Sequence, residues 1–332
     1  MEGSVVYRES DNRDVEDICY EQKHIEKVLS AIKENFEQYF CRFLSSTGGR
    51  DISLDNVQEL QKKFGIEIHQ KKKTNDLSEK FKAIILESIE DFEQDREAYE
   101  DIFKKDLLED LDEDADVFKS KILRNECPII RKTLANKRAK ELDKYRVNFS
   151  NADADWLLSV VYKLCVFGDD YQKKYDPKTY ENIQTYQDLK LELLDTEDYT
   201  AYGVIGGGIK THMLYKVHPA VFPNRSRSAI WALWYLTNKK TFGCRTDSEF
   251  LMIDVSNSVT QQNYFYPYQL FAFYAFEIYK MLRDKATQLD VSIDTAYRYV
   301  IVDAFLEFIA MEHDSEISFM KSKIRDGDSG NA

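Results

Sequence analysis

Apolar residues recur at helical spacing over most of the chain, and few turn-forming residues interrupt them. Ile25, Val28, Leu29, Ile32, Phe36, Tyr39, Phe40 and Phe43 keep one face, which predicts a helix over 21–44. Phe81, Ile84, Ile85, Ile89, Phe92, Tyr99, Ile102 and Phe103 do the same along a single long helix from Leu77 to about Leu111. Between them, Ser53 fits as the cap of a short helix to Phe64 stopped by Gly65, and Lys71–Lys73 reads as a loop. Residues 117–146 are helical with a break at Pro128. The segment SNADADWLLSVVYKLCVFG is apolar nearly all round, which predicts a central buried helix capped at Ser150 or Asn151 and ended by Gly168. Further helices are expected over about 178–194, after a capping Asn224, and over about 267–286 and 292–313. Phe250–Val255 is the best strand candidate, with Thr241–Cys244 as its hairpin partner. The pattern predicts a mainly α, multi-helix protein with at most a small β-hairpin.

Charge divides the chain where periodicity does not. Net charge is −13, yet residues 87–116 carry fifteen acidic against three basic side chains, and residues 119–146 carry ten basic against three acidic. Residues 201–250 hold seven basic side chains against Asp247 and Glu249. Past residue 150 the chain becomes rich in aromatic residues. We therefore expect a charge-blocked helical domain over 1–149 and an aromatic-rich helical domain over 150–332. The overall charge disfavours a polyanionic partner, but two basic islands can still provide a patch for one. The acidic helix 87–116 is a candidate surface for a protein partner, or a cover for the basic segment.

Several classes of function drop out. The five cysteines (Cys19, Cys41, Cys127, Cys165 and Cys244) are scattered, with no CxxC or paired Cys–His spacing. That pattern predicts reduced thiols with no disulfide framework, metal site or cofactor. No apolar leader opens the sequence, and the apolar stretch LFAFYAF meets Glu277. A cytoplasmic protein without a membrane partner is expected. Asp112, Asp114 and Asp116 have calcium-loop spacing, but Val117 and Leu123 stand where glycine and glutamate are needed.

The chemistry concentrates at GVIGGGIKTH, residues 203–212. As a nucleotide P-loop it fails, because Ile209 separates Gly208 from Lys210 and no hydrophobic strand precedes it. The stretch VIGGGIKTHML instead resembles the hairpin of the helix-hairpin-helix DNA-binding element. Gly206 and Gly208 take the two glycine places, Lys210 the lysine, Thr211 the next residue, and Met213 and Leu214 open the second helix. His212 stands where the pattern has a small residue.

The resemblance implies non-sequence-specific contact with nucleic acid, DNA above all, through Gly206, Gly207, Gly208, Lys210 and Thr211. Arg225 and Arg227, near the start of the following helix, supply further cations, and Lys216, Lys239 and Lys240 are close in sequence. The hairpin is distantly like that of DNA glycosylases. Those enzymes place a catalytic aspartate after the second helix, and no carboxylate occurs between Ala201 and Thr246 here. Phosphate binding is carried over and base excision is not. A subunit working beside an enzyme of DNA repair, restriction or phage defence is the expected setting.

Two other readings stay open. One is a protein-interaction or scaffold module in which the glycines are a tight turn. The other is an enzyme whose residues, such as Asp254, Asp303, Glu307 and His218, are gathered only by folding.

Overall fold

The structure, a computed structural model, describes residues 14–46, 76–137, 139, 142–244, 249–254, 259–263 and 266–327. The expected short helix at 53–64 and the Lys71–Lys73 loop lie outside these residues.

The protein is mainly α. In chain order the principal elements are α1 Gln22–Ser45, α2 Asp76–Glu93, α3 Arg96–Ile102, α4 Lys105–Asp110, a π-helix Phe118–Glu126, α5 Pro128–Ala135, α6 Asp143–Asn151, α7 Ala154–Lys173 and α8 Pro177–Glu181. They continue with α9 Gly207–Val217, α10 Arg227–Leu236, β1 Leu251–Asp254, β2 Val259–Gln262, α11 Tyr268–Gln288, α12 Arg298–Glu312 and α13 Asp314–Gly327. None of the described helices is long and apolar enough to cross a membrane.

Two compact units divide the chain, and each is discontinuous. One comprises Met1–Cys41, Arg227–Tyr266 and Leu306–Ala332, and the other Arg42–Ser226 and Pro267–Phe305. The compositional change at residue 150 falls inside the second unit. It marks the entry to α7, which lies wholly within that unit.

In the first unit, Ile25, Val28, Ile32 and Phe36 of α1 are buried, as are Ile230, Trp231 and Leu233 of α10. Tyr235 stacks flat on His313 at 3.7 Å, and the Tyr39 hydroxyl reaches the same imidazole at 2.9 Å. The hairpin pairs Leu251 with Gln262 and Asp254 with Val259. The strand forms where alternation predicts it, but its partner follows it in sequence instead of preceding it. Phe242 and Gly243 adopt positive φ angles of 52° and 86°, which turns the expected partner segment out of extended geometry.

In the second unit α7 is the central helix, burying Leu157, Leu158, Val160, Val161, Leu164 and Cys165. Its cap is Asp153, which accepts from the Trp156 N–H at 2.8 Å, and not Ser150 or Asn151. Gly168 does not end it. The helix continues to Lys173, and a Cβ at Gly168 would lie 3.0 Å from the His218 ring and 3.1 Å from Leu214. That glycine lets α9 and its C-terminal turn approach closely.

The long helix expected over 77–111 is three helices, interrupted at residues 94–95 and 103–104. The helix expected over 178–194 is also absent. Only α8 is helical there, followed by 3-10 turns at Tyr186–Leu189, Glu192–Asp195 and Glu197–Tyr199. Lys190 takes φ 52°, which an α-helix does not admit, and Leu189, Leu191 and Leu194 bury at the tighter spacing.

Arg298 anchors this unit. Its guanidinium is fully buried, donates to the Ala220 carbonyl at 2.7 Å and to Glu181 at 2.5 Å, and lies 4.4 Å from the Tyr180 ring centroid.

Candidate nucleic-acid interface

The glycine stretch opens α9, and its neighbours in the fold are specific. Ala201 and Ile205 form an isolated antiparallel bridge, which folds residues 201–205 into a tight turn. Gly203 sits at its corner with φ 77°, and a Cβ there would come within 2.3 Å of the Asn148 side-chain amide. Only glycine fits this corner, on both backbone and packing grounds. Asn148 belongs to α6, so the glycine turn is seated against the last helix of the basic segment. Lys144, one helical turn before Asn148, is exposed.

Gly206 is the N-cap residue of α9, in extended geometry (φ −91°, ψ −174°), and no side chain caps the helix. Gly206, Gly207 and Gly208 are half-exposed. A Cβ on Gly206 would meet nothing within 4 Å, and one on Gly208 only the Arg225 carbonyl oxygen at 3.7 Å, an ordinary contact. The chain's own packing requires glycine at neither position. Glycine in the middle of a helix costs roughly 0.5–1 kcal/mol relative to alanine, an upper bound for Gly208 in the first turn. The uncapped N–H groups and the helix dipole make this end favourable for an anion. Tyr202 beside it is 60% exposed, with its hydroxyl donating to Glu197 at 3.2 Å.

The cations expected to join the glycines point elsewhere. Lys210 is only 4% exposed. Its ammonium donates to the Leu194 carbonyl and, at 2.9 Å, to the Thr200 hydroxyl. Burial lowers its pKa to about 8, with the Asp195 carboxylate acting in the opposite sense. Thr211 is fully buried and its hydroxyl donates back to Gly207 O at 2.7 Å. Arg225 is buried as well, and Arg227 is exposed. Lys216 donates to the Phe92 carbonyl at 2.7 Å and pairs with Asp95 at 2.6 Å. In the other unit Lys239 pairs with Glu316 at 2.5 Å, and Lys240 with Glu34 at 3.2 Å. The basic island of 201–250 is thus largely consumed by internal contacts. Asn224 caps no helix either: its amide donates to both Asp303 oxygens at 3.2 Å.

The other basic island stays on the surface. Lys121 and Arg124 on the π-helix, Lys137 after α5 and Lys144 on α6 are exposed and make no ion pair among the described residues. Arg131 and Lys132 are exposed too, with Lys132 reaching Asp95 at 3.1 Å. That pair is the one ion-pair link between the acidic and basic blocks among the described residues. Lys119 is tied to the Ser150 and Ala152 carbonyls at 2.9 and 2.5 Å, which fixes the π-helix to the loop before α7. A π-helix of nine residues is uncommon.

Among the described residues, the acid–base candidates Asp303 and His218 have separate partners. Asp303 is held by Asn224, and His218 lies 3.5 Å from Asp169. The Asp254 side chain is outside the described residues. His212 meets the Tyr99 hydroxyl at 3.1 Å, and desolvation lowers its pKa to about 4, so it is neutral at physiological pH. No protein family, curated protein or solved structure matches the chain.

Proposed function

We propose that the protein binds nucleic acid, DNA first among the candidates, by sequence-independent contact with the phosphate backbone. The observation that carries this reading is the uncapped N-terminus of α9, built from glycines that the chain's own packing does not require. Backbone N–H groups there let a phosphate oxygen come close, as in the helix-hairpin-helix resemblance. The cations of the reading are Lys144, beside the glycine turn through Asn148 and Gly203, and the exposed Lys121, Arg124 and Lys137. Lys210 and Arg225 support the helix from inside. Tyr202 offers a stacking face for an unpaired base. The site fits a binding subunit that works with a separate enzyme of DNA repair, restriction or phage defence.

Gly208→Ala tests the reading directly. The substitution is expected to stabilise α9 by up to about 1 kcal/mol while weakening binding of labelled single- and double-stranded DNA and RNA in fluorescence anisotropy. Unchanged binding by a folded Gly208→Ala protein removes the glycine turn as the phosphate site.

One observation favours a second reading, a protein-docking surface: Val147 and Tyr202 are large, exposed and close to the Asn148–Gly203 contact. A partner held there is insensitive to salt, whereas phosphate binding weakens steeply with it.

A further inference from the structure

The first unit brings together three side chains that the sequence keeps far apart. His24 lies in the first turn of α1, Glu249 just before β1, and Cys244 in the turn that Phe242 and Gly243 open with positive φ. One donor atom from each, an imidazole nitrogen, a thiol sulfur and a carboxylate oxygen, lies within 4.8 Å of the other two. The donors of a tetrahedral zinc site, bound at about 2.0–2.3 Å, stand roughly 3.3–3.8 Å apart, so the ion requires the touching His24–Glu249 pair to open by about an ångström.

Burial supplies an independent argument. Glu249 is 1% exposed and His24 3%. The His24 imidazole contacts Glu249 Oε1, but Glu249 Oε2 has no hydrogen-bond partner among the described residues. A carboxylate removed from water with one oxygen unsatisfied is costly and calls for a cation. The Phe242 ring packs edge-on against the imidazole, with centroids 5.9 Å apart, and holds its plane.

We propose that His24, Cys244 and Glu249 bind a divalent transition-metal ion, zinc being the best match. Nitrogen, sulfur and carboxylate donors together suit zinc, whereas magnesium and calcium take oxygen donors. A thiolate, a neutral imidazole and a carboxylate balance the ion's charge, so binding releases the thiol proton. The ion cross-links the start of α1 to the segment that leads into the hairpin, and three protein donors leave a fourth position for water.

The full-length chain, produced with zinc and desalted into metal-free buffer, is expected to hold about one zinc by elemental analysis. Cobalt(II) added to the metal-stripped protein is expected to give an intense near-ultraviolet thiolate-to-cobalt band. Cys244→Ser, at a half-buried position where folding is little affected, should abolish the band and weaken zinc binding at least about tenfold in a chelator competition. Glu249→Gln should weaken it similarly, and Cys41→Ser, at an exposed thiol on α1, should leave both readouts unchanged. Zinc content near zero in the wild type, a band that survives Cys244→Ser, or a band that follows Cys41 overturns the proposal.

Discussion

Lys210 hydrogen-bonds Thr200 at 2.9 Å and points into the protein, away from the glycine turn that precedes it. The folded state holds its proton less tightly than the unfolded chain, because burial lowers the pKa from 10.5 to about 8. The Lys210 contribution to stability therefore rises with pH between these two values, where the unfolded chain binds more protons. The buried Cys19, Cys127 and Cys165 thiols, pushed up to about 12 by desolvation, act in the opposite sense, so the Lys210 part is read as a difference. Urea unfolding from pH 7 to pH 9.5 is expected to show wild type gaining roughly 2 kcal/mol relative to Lys210→Met, and parallel pH profiles for the two proteins overturn the assignment.

Gly203→Ala is expected to destabilise the second unit by about 1–3 kcal/mol, from the positive φ and the collision with Asn148. Asn148→Ala in the same chain should recover the steric part and leave roughly 1 kcal/mol of backbone cost. Thermal unfolding of the four proteins of this cycle measures both components, and strict additivity shows that the two residues do not meet.

Arg298→Ala is expected to cost about 3–5 kcal/mol, because Glu181 and the Ala220 carbonyl lose a fully buried partner. Arg298→Lys should recover little. A single ammonium cannot serve Ala220, Glu181 and the Tyr175 hydroxyl together or spread over the Tyr180 and Tyr279 rings. Denaturant midpoints of the two variants read the difference.

Lys121→Gln, Arg124→Gln and Lys144→Gln are each expected to lower the log–log salt slope of DNA binding by about 1, with stability held within about 0.5 kcal/mol. Anisotropy titrations at several salt concentrations measure the slope. A triple variant with the wild-type slope rules out this basic surface as the phosphate track.

Much of the architecture was legible from periodicity alone. The helices at 22–45, 154–173, 268–288 and 298–312 carry apolar residues over several turns, on one face at 22–45 and nearly all round at 154–173, and such lengths bury best as helices. The stretch after residue 177 misled because Leu189, Leu191 and Leu194 are compatible with either helix type locally. Lys190 in the left-handed region decided for short 3-10 turns.

For the candidate site, the sequence located the glycine turn and the helix that begins at its end, since glycines before an apolar helical face have few other conformations. It also marked both basic islands. It could not rank them, because net charge counts side chains without regard to where they point. Only the tertiary structure turned Lys210, Lys216 and Arg225 inward and left Lys121, Arg124 and Lys144 in solvent. The His24–Cys244–Glu249 cluster has no local signature at all. Its members are 225 positions apart from first to last, and the donors converge only because packing of the first unit puts them in one place. Sequence fixes what each short segment prefers, while burial and convergence belong to the whole chain, where distant segments compete for the same interior.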